Sequence, residues 1–473
     1  MIAGAGLARS TSGAPTVTSL AASPDLAPGK TVARHLVAAE RPMALPCFSG
    51  LTLPTWTFSD ATWLSTIRLA LGDRLDVLLE NRLPRDGEHT SIHWHGIRLP
   101  NDQDGVPYLV QPPVNPGESF RYSFVPPDTG TFFFHTHCNT AEQLGRGLAG
   151  VLIVGGDTTE PYAADHTIFL RDWLVDFENG TFRNFFTTRG ASRAGTYGNV
   201  RSANGHDEEV VRLPASADCR LRLVNGDPTR VMEIAVDDTE AAVIAIDGVA
   251  VPPFPLDSWL LAPAMRLDLV VRAPAEGHAA EIIDRRLPEE VRLVRLIGTG
   301  PATQPTSFDP APLRAGRIPE PDLSTAERLR FVFAVAGSDA PVLSVEDSPD
   351  GFFVGSLCLS VENYWTINDT AWPGGDRAVL PPPLAVLRRG RSYIFSLKNA
   401  DQLIHPIHIH GHTFKVLRSD RRTLPVHHAD TVLLLPDETI EVAFVADNPG
   451  RWMFHCHVIE HQKTGMMGYV EVV

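Results

Sequence analysis

Two blocks of this 473-residue chain repeat one another, and the repeat restricts the possible fold more than any other feature. "LGDRLDVLLENRL…HTSIHWHG" near the start is echoed by "RRGRSYIFSLKNADQLIHPIHIHGH" near the end. A second pair follows inside each copy, where "PGESFRYSFVPPDTGTFFFHTHC" matches "PDETIEVAFVADNPGRWMFHCHV" in its order of strand, turn, Gly, aromatic and His. One module is therefore present twice. Its short β-branched and aromatic runs, broken by Gly, Pro, Asn and Asp, predict β-sandwiches with short connections.

The chain is longer than one hydrophobic core usually serves, so a third unit is expected between the copies. "DCRLRLVNGDPTRVMEIAVDDTEAAVIAIDGVAV" and "LLAPAMRLDLVVRAP" carry the strand pattern without an HxH pair, which predicts a middle domain without metal. Its limits fall near "GGDTTEPYAAD" and in the Pro-rich "TGPATQPTSFDPAPLRAGRIPEPD". The expected division is a flexible segment 1–35, domains at 36–157 and 158–305, a linker 306–325 and a domain at 326–473.

A formal net charge of −15 argues against nucleic-acid or anionic-membrane partners. No run of 18 or more apolar residues is present, so no membrane span is expected. The opening thirty residues lack a basic start and a sustained apolar segment and do not read as an intact signal peptide. Cys47, Cys138, Cys219, Cys358 and Cys456 form no CxxC pair, which excludes zinc-ribbon and thioredoxin motifs.

Four clusters carry HxH: His93 and His95, His135 and His137, His408 and His410, His455 and His457. Chance would place on the order of one such pair in a chain of this histidine content. On a strand, residues i and i+2 share a face, so each pair aims two imidazoles in one direction. A lone buried histidine is usually a hydrogen-bonded core residue, but eight in mirrored modules exceed what one structural zinc needs. Several metal ions are implied.

The same parity turns Cys456 away from its flanking histidines and toward a different metal. His405 lies an odd number of residues from His408 and His410 and, with a local break at Pro406, can face the same side. His461 and Met466 follow within a loop's reach. Two histidines, a thiolate and a long axial methionine form the ligand set of a blue-copper site.

With these motifs in place, the sequence resembles the three-domain multicopper oxidases, the family of laccases, ascorbate oxidase and bilirubin oxidase. The resemblance runs from about residue 40 to the end, on "HWHG", "HTH", "HPIHIHGH" and "HCHVIEHQKTGM". It implies an all-β chain of three consecutive cupredoxin-like Greek-key β-sandwich domains binding four copper ions, with dioxygen as co-substrate. By position, His93 and His408 would hold type 2 copper, and His95, His135, His137, His410, His455 and His457 the type 3 pair. His405, Cys456, His461 and Met466 would hold type 1, with Met467 disfavoured as the axial ligand by the family's spacing. The catalytic set is then Cys456, His455 and His457 as the electron path and Asp104 as proton donor. Many bacterial relatives place a second acid where this chain has Gln462.

Other residues carry bland readings. Cys138 should face away from the cluster as a disulfide or buried thiol. Trp94 and the "FFF" run at 132–134 should form sandwich core and backing for the ligands. His412, His427 and His428 match no ligand position, although the position of "VHHADTV" in the chain also allows it to lie near the type 1 rim and touch substrate.

The resemblance favours a laccase-type oxidase taking electrons from phenols or aromatic amines, which need only an accessible type 1 edge. The alternative is a cuprous or ferrous metallo-oxidase, although the seven methionines form no rich insert. A copper-free scaffold conflicts with the intact ligand set, and a two-domain nitrite reductase would not carry both "HTH" and "HCH". A monomer in the periplasm or outside the cell is expected.

Overall fold

The computed structural model describes residues 29–158, 161–301, 307–336, 363–372 and 380–473. The expected mobility of residues 1–28 and any pairing of Cys358 lie outside the described residues.

Alternation of apolar and polar residues fixes the strands. In Arg74–Arg82, Leu75, Val77 and Leu79 are buried while the residues between them face outward, and Ser65–Ala70 alternates in the same way. The strands fall into three two-sheet sandwiches, so the all-β expectation is met. All three repeat one topology. The first strand of each runs parallel to a later long strand: Thr31–Met43 to Arg74–Arg82, Asp165–Trp173 to Asp218–Asn225, and Glu327–Val335 to Ser392–Asn399. A second parallel pair recurs in the facing sheet of each unit. The middle unit is thus a third copy of the module that lacks the paired histidines.

One boundary differs from expectation. The first strand begins at Thr31, inside the segment 1–35 expected to be flexible, and pairs from there with Arg74–Arg82. "TVARHLVAAERPM" hides this because Ala, Arg and Glu blur the two-residue period, although Val32, Leu36 and Ala38 do point into the core.

The histidine pairs sit on facing strands. His93–His95 lies antiparallel to Gly130–His135 with His93 opposite His135. In the third unit His405–Ile409 lies between Thr431–Leu434 and Gly450–Cys456, with His408 opposite His455. The strand runs unbroken through Pro406, so no local break is needed: alternation alone sets His405 on the face opposite His408.

Polar clamps bring the outer units together. Arg98 binds Asp128 of its own unit and Asp447 of the third, each at 2.9 Å, and the Asn101 side chain donates to the Arg451 carbonyl at 2.7 Å.

Candidate metal centres

Eight imidazoles from the first and third units converge on one buried space. His95, His135 and His457 form one triangle with ring centres 5.0 to 5.8 Å apart. His137, His410 and His455 form a second, at 5.2 to 5.8 Å, with the Nε2 atoms of His410 and His455 only 3.1 Å apart. His93 and His408 complete the group, each stacked at 3.8 Å on a histidine of a triangle. All eight are buried.

The hydrogen bonds set which nitrogen each ring turns inward. Nδ1 of His93, His135, His408 and His455 is held by the carbonyl of Asp104, Thr136, Asp430 and Cys456 respectively, at 2.8 to 2.9 Å. His410 uses Nδ1 on the Asp104 carboxylate at 2.8 Å, whereas His95 is reversed, with Nε2 on Asp430 at 2.9 Å. A ring that donates on one side keeps a lone pair on the other. Those inward atoms, Nε2 of His93, His135 and His408 and Nδ1 of His95, have no hydrogen-bond partner, and neither nitrogen of His137 or His457 has one.

Buried nitrogens without partners would be costly in a packed core, and cations supply what they lack. Burial, reinforced by neighbouring imidazoles, pushes His135, His137, His410, His455 and His457 well below the usual histidine range, and His95 likewise despite the opposing pull of Asp430. The rings are therefore neutral and able to ligate. The donor set fits several metal ions.

A second cluster lies on the other face of the Gly450–Cys456 strand. The Cys456 sulfur is 3.6 Å from Nδ1 of His405 and 3.7 Å from Nδ1 of His461, and those nitrogens are 3.1 Å apart. Each ring is fixed from behind: His405 by the Asp401 carboxylate at 2.8 Å and His461 by the Arg193 carbonyl at 2.5 Å. Burial pushes the Cys456 thiol up, so a thiolate here needs a cation beside it. Met466 shares the apolar cluster of Cys456, and its backbone carbonyl accepts the Cys456 N–H at 3.0 Å, whereas Met467 packs elsewhere, with Val106, Met453 and Tyr469.

The remaining expectations divide. Asp104 touches the large cluster through both its carbonyl and its carboxylate. Cys138 is a buried thiol whose sulfur lies 4.0 Å from the Ser91 hydroxyl. Trp94, Phe132 and Phe134 pack in the core of the first unit, and Phe133 backs His95 and His135. Gln462 is buried, and its amide nitrogen has no partner.

Two features bear on access to the Cys456 cluster. His427 and His428 engage other partners: His427 packs edge-on against Trp259 of the middle unit, and His428 faces Glu320 of the connecting segment. Their strand pairs with Phe414–Val416 in the six-stranded sheet, away from the sheet that carries Cys456. The outer edge of His461 is also closed rather than accessible, because the Arg193 carbonyl caps it and the ring is fully buried.

Sequence reasoning missed four charged residues. Asp430 accepts from His95 and, through its carbonyl, from His408; Arg266 of the middle unit grips the same carboxylate. Asp401 orients His405, and Glu460 binds the segment covering His461. Asp401 and Glu460 left a local signal, four residues and one residue before a histidine.

Comparison with known proteins agrees with this geometry. Multicopper oxidase family models match residues 47–159, 164–279 and 360–473. The chain is 30% identical to the multicopper oxidase MmcO of Mycobacterium tuberculosis over 88% of its own length and 83% of that protein's. Laccase-2 of Botryotinia fuckeliana is 26% identical over 89% of this chain and 79% of its own, and iron transport multicopper oxidases are also among the relatives. A crystal structure of a multi-copper oxidase from Pseudomonas thermotolerans superposes with a TM-score of 0.81 at 39% identity, covering 94% of this chain and 99% of that one. Two histidine-lined centres joined by one strand and three matching family domains lead to one conclusion: the chain belongs to the multicopper oxidase family, copper-dependent oxidoreductases that use oxygen.

Proposed function

We propose that this protein is a laccase-type oxidase, coupling one-electron oxidation of phenols or aromatic amines to four-electron reduction of dioxygen to water. The observation that carries the reading is the position of Cys456, whose sulfur meets His405 and His461 while its neighbours His455 and His457 enter the eight-histidine cluster.

In this reading His405, Cys456, His461 and Met466 would hold type 1 copper. His93 and His408 would hold type 2. The triangles His95, His135, His457 and His137, His410, His455 would hold the type 3 pair. Bound copper supplies the one-electron steps that take electrons from a donor and deliver four of them to dioxygen. Residues 455–457 join the two clusters covalently and would be the electron path between loaded centres. Asp104 presents a carboxylate oxygen that makes no hydrogen bond, beside His93 and His410, where it can hold and pass a proton. Gln462 cannot do so, and Asp430, the other carboxylate at the cluster, is engaged by Arg266 and His95.

One observation favours a second reading, a cuprous or ferrous metallo-oxidase. With His461 capped by Arg193, an aromatic donor has no direct contact with the ring. Oxygen uptake by the copper-loaded protein separates the readings. Turnover of a simple phenol without added metal supports the laccase reading, and uptake driven only by Cu(I) or Fe(II) supports the second. No helix among the described residues is long and apolar enough to cross a membrane, and we place the protein, as a monomer, in the periplasm or outside the cell.

A further inference from the structure

Residues 187–197 form a strap across the outer edge of His461, and its fastening points converge on one side chain. Glu460, itself buried, accepts the backbone N–H of Thr187 at 2.9 Å, the hydroxyl of Thr196 at 2.9 Å and the backbone N–H of Thr196. The two ends of the strap are thus tied to one carboxylate. Between them the Trp365 indole N–H donates to the Ala191 carbonyl at 2.6 Å, with its ring 4.5 Å from that of His461. The Arg193 carbonyl then rests on His461 Nε2.

The strap is shaped for this carboxylate. A Cβ at Gly190 would sit 2.6 Å from one Glu460 oxygen and 2.2 Å from the Thr196 hydroxyl, so only glycine lets the chain close this tightly. Gly195 adopts φ +95°, which turns the chain back toward Glu460. A carboxylate can accept all three bonds. An amide has one acceptor and would set its own donors against backbone N–H groups.

We propose that Glu460 is a specificity-determining residue of this oxidase: it latches the 187–197 strap over His461, so that phenols and other flat aromatic donors pass electrons across the strap and make no direct contact with that imidazole. The inference rests on the reading of His461 as a type 1 ligand through which electrons arrive. With the latch closed, the Arg193 carbonyl and the Trp365 ring stand between a donor and the imidazole, an arrangement that serves compact outer-sphere donors. Release of the strap exposes Nε2 and the ring edge to a bulky phenol.

The test compares wild-type protein with Glu460→Gln and Glu460→Ala, all copper-loaded, using a dimethoxyphenol as the bulky donor and ferrocyanide as the outer-sphere donor. The ratio of kcat/KM for the phenol to that for ferrocyanide is expected to rise about tenfold in the variants. Amide hydrogen exchange at Thr187 and Thr196 gives an independent readout, expected to quicken by about tenfold. If Glu460→Ala does not fold, Thr196→Val removes one of the same bonds with little change of shape and carries the same expectation. Faster exchange with an unmoved donor ratio overturns the proposal, and so does exchange that stays at the wild-type rate. A thiolate-to-copper absorption band in the wild-type protein separates the two levels: its absence overturns the type 1 reading, whereas its presence with an unmoved ratio overturns only the latch.

Discussion

Arg266 of the middle domain and Asp430 of the third form a two-point ion pair, with Nη1 3.0 Å from Oδ1 and Nη2 2.6 Å from Oδ2, both residues fully buried. The same carboxylate accepts from His95 of the first domain. Burial pushes the Asp430 carboxyl up, but Arg266 foremost and His95 and His408 after it hold it well below the usual carboxylate range. The middle domain, which contributes none of the eight histidines, therefore supplies the charge that holds the histidine cluster in order.

Removing that charge is expected to be costly. Arg266→Met strands Asp430 in the core, and breaking one side of a buried pair costs about 3–5 kcal/mol. Calorimetry should show a lowered Tm. Metal analysis should show fewer copper ions per chain, since His95 and His408 lose their orientation. Unchanged Tm and copper content would remove the pair from the account.

Gly96 tests the same junction by sterics. Its φ is +83°, and a Cβ there would lie 2.4 Å from Arg266 Nη2 and 2.5 Å from Asp430 Oδ2. Gly96→Ala is expected to cost at least the roughly 1–3 kcal/mol of a left-handed non-glycine residue, with the lost ion-pair geometry added. Denaturation midpoints of the purified variant measure it.

Asp104→Asn keeps an acceptor for His410 but removes the exchangeable proton. Copper content should be retained. Oxygen-reduction rate should fall by roughly 10²–10⁴-fold, the usual contribution of a positioned acid. Metal analysis and oxygen uptake by the purified variant check both statements.

His427 gives a pH prediction away from the metal centres. Burial, which dominates, lowers its pKa to about 4, against about 6.5 in an unfolded chain. The unfolded state therefore binds the proton first as pH falls. The stabilising contribution is present in full above pH 6.5 and is lost on acidification toward pH 4, by at most about 3 kcal/mol. His427→Gln, whose amide can still donate to the Pro425 carbonyl, should flatten this slope when unfolding is followed at pH 7 and pH 4.5.

The sequence was legible where chemistry and strand period coincide. HxH on a strand aims two imidazoles one way, and alternation sets Cys456 and His405 on the opposite face, so both centres could be read before any coordinates. Arg266 and Asp430 could not. Each is a single charged residue whose partner lies 164 positions away in the chain, and their meeting depends on how three domains pack. The same holds for Arg193 over His461, since a backbone carbonyl leaves no mark in the sequence. "VHHADTV" drew notice for its histidines, but it is Asp430, within the same stretch, that reaches the cluster.

In the proposed function Cys456 ligates one copper while its neighbours His455 and His457 ligate others. Visible absorption and copper analysis of the wild-type protein beside Cys456→Ser test this division. An intense thiolate-to-copper band is expected in the wild-type protein, and in Cys456→Ser the loss of that band and of one copper ion per chain, with the eight-histidine centre still loaded. A wild-type protein that stays colourless when copper is supplied, or a band that survives in Cys456→Ser, would contradict it.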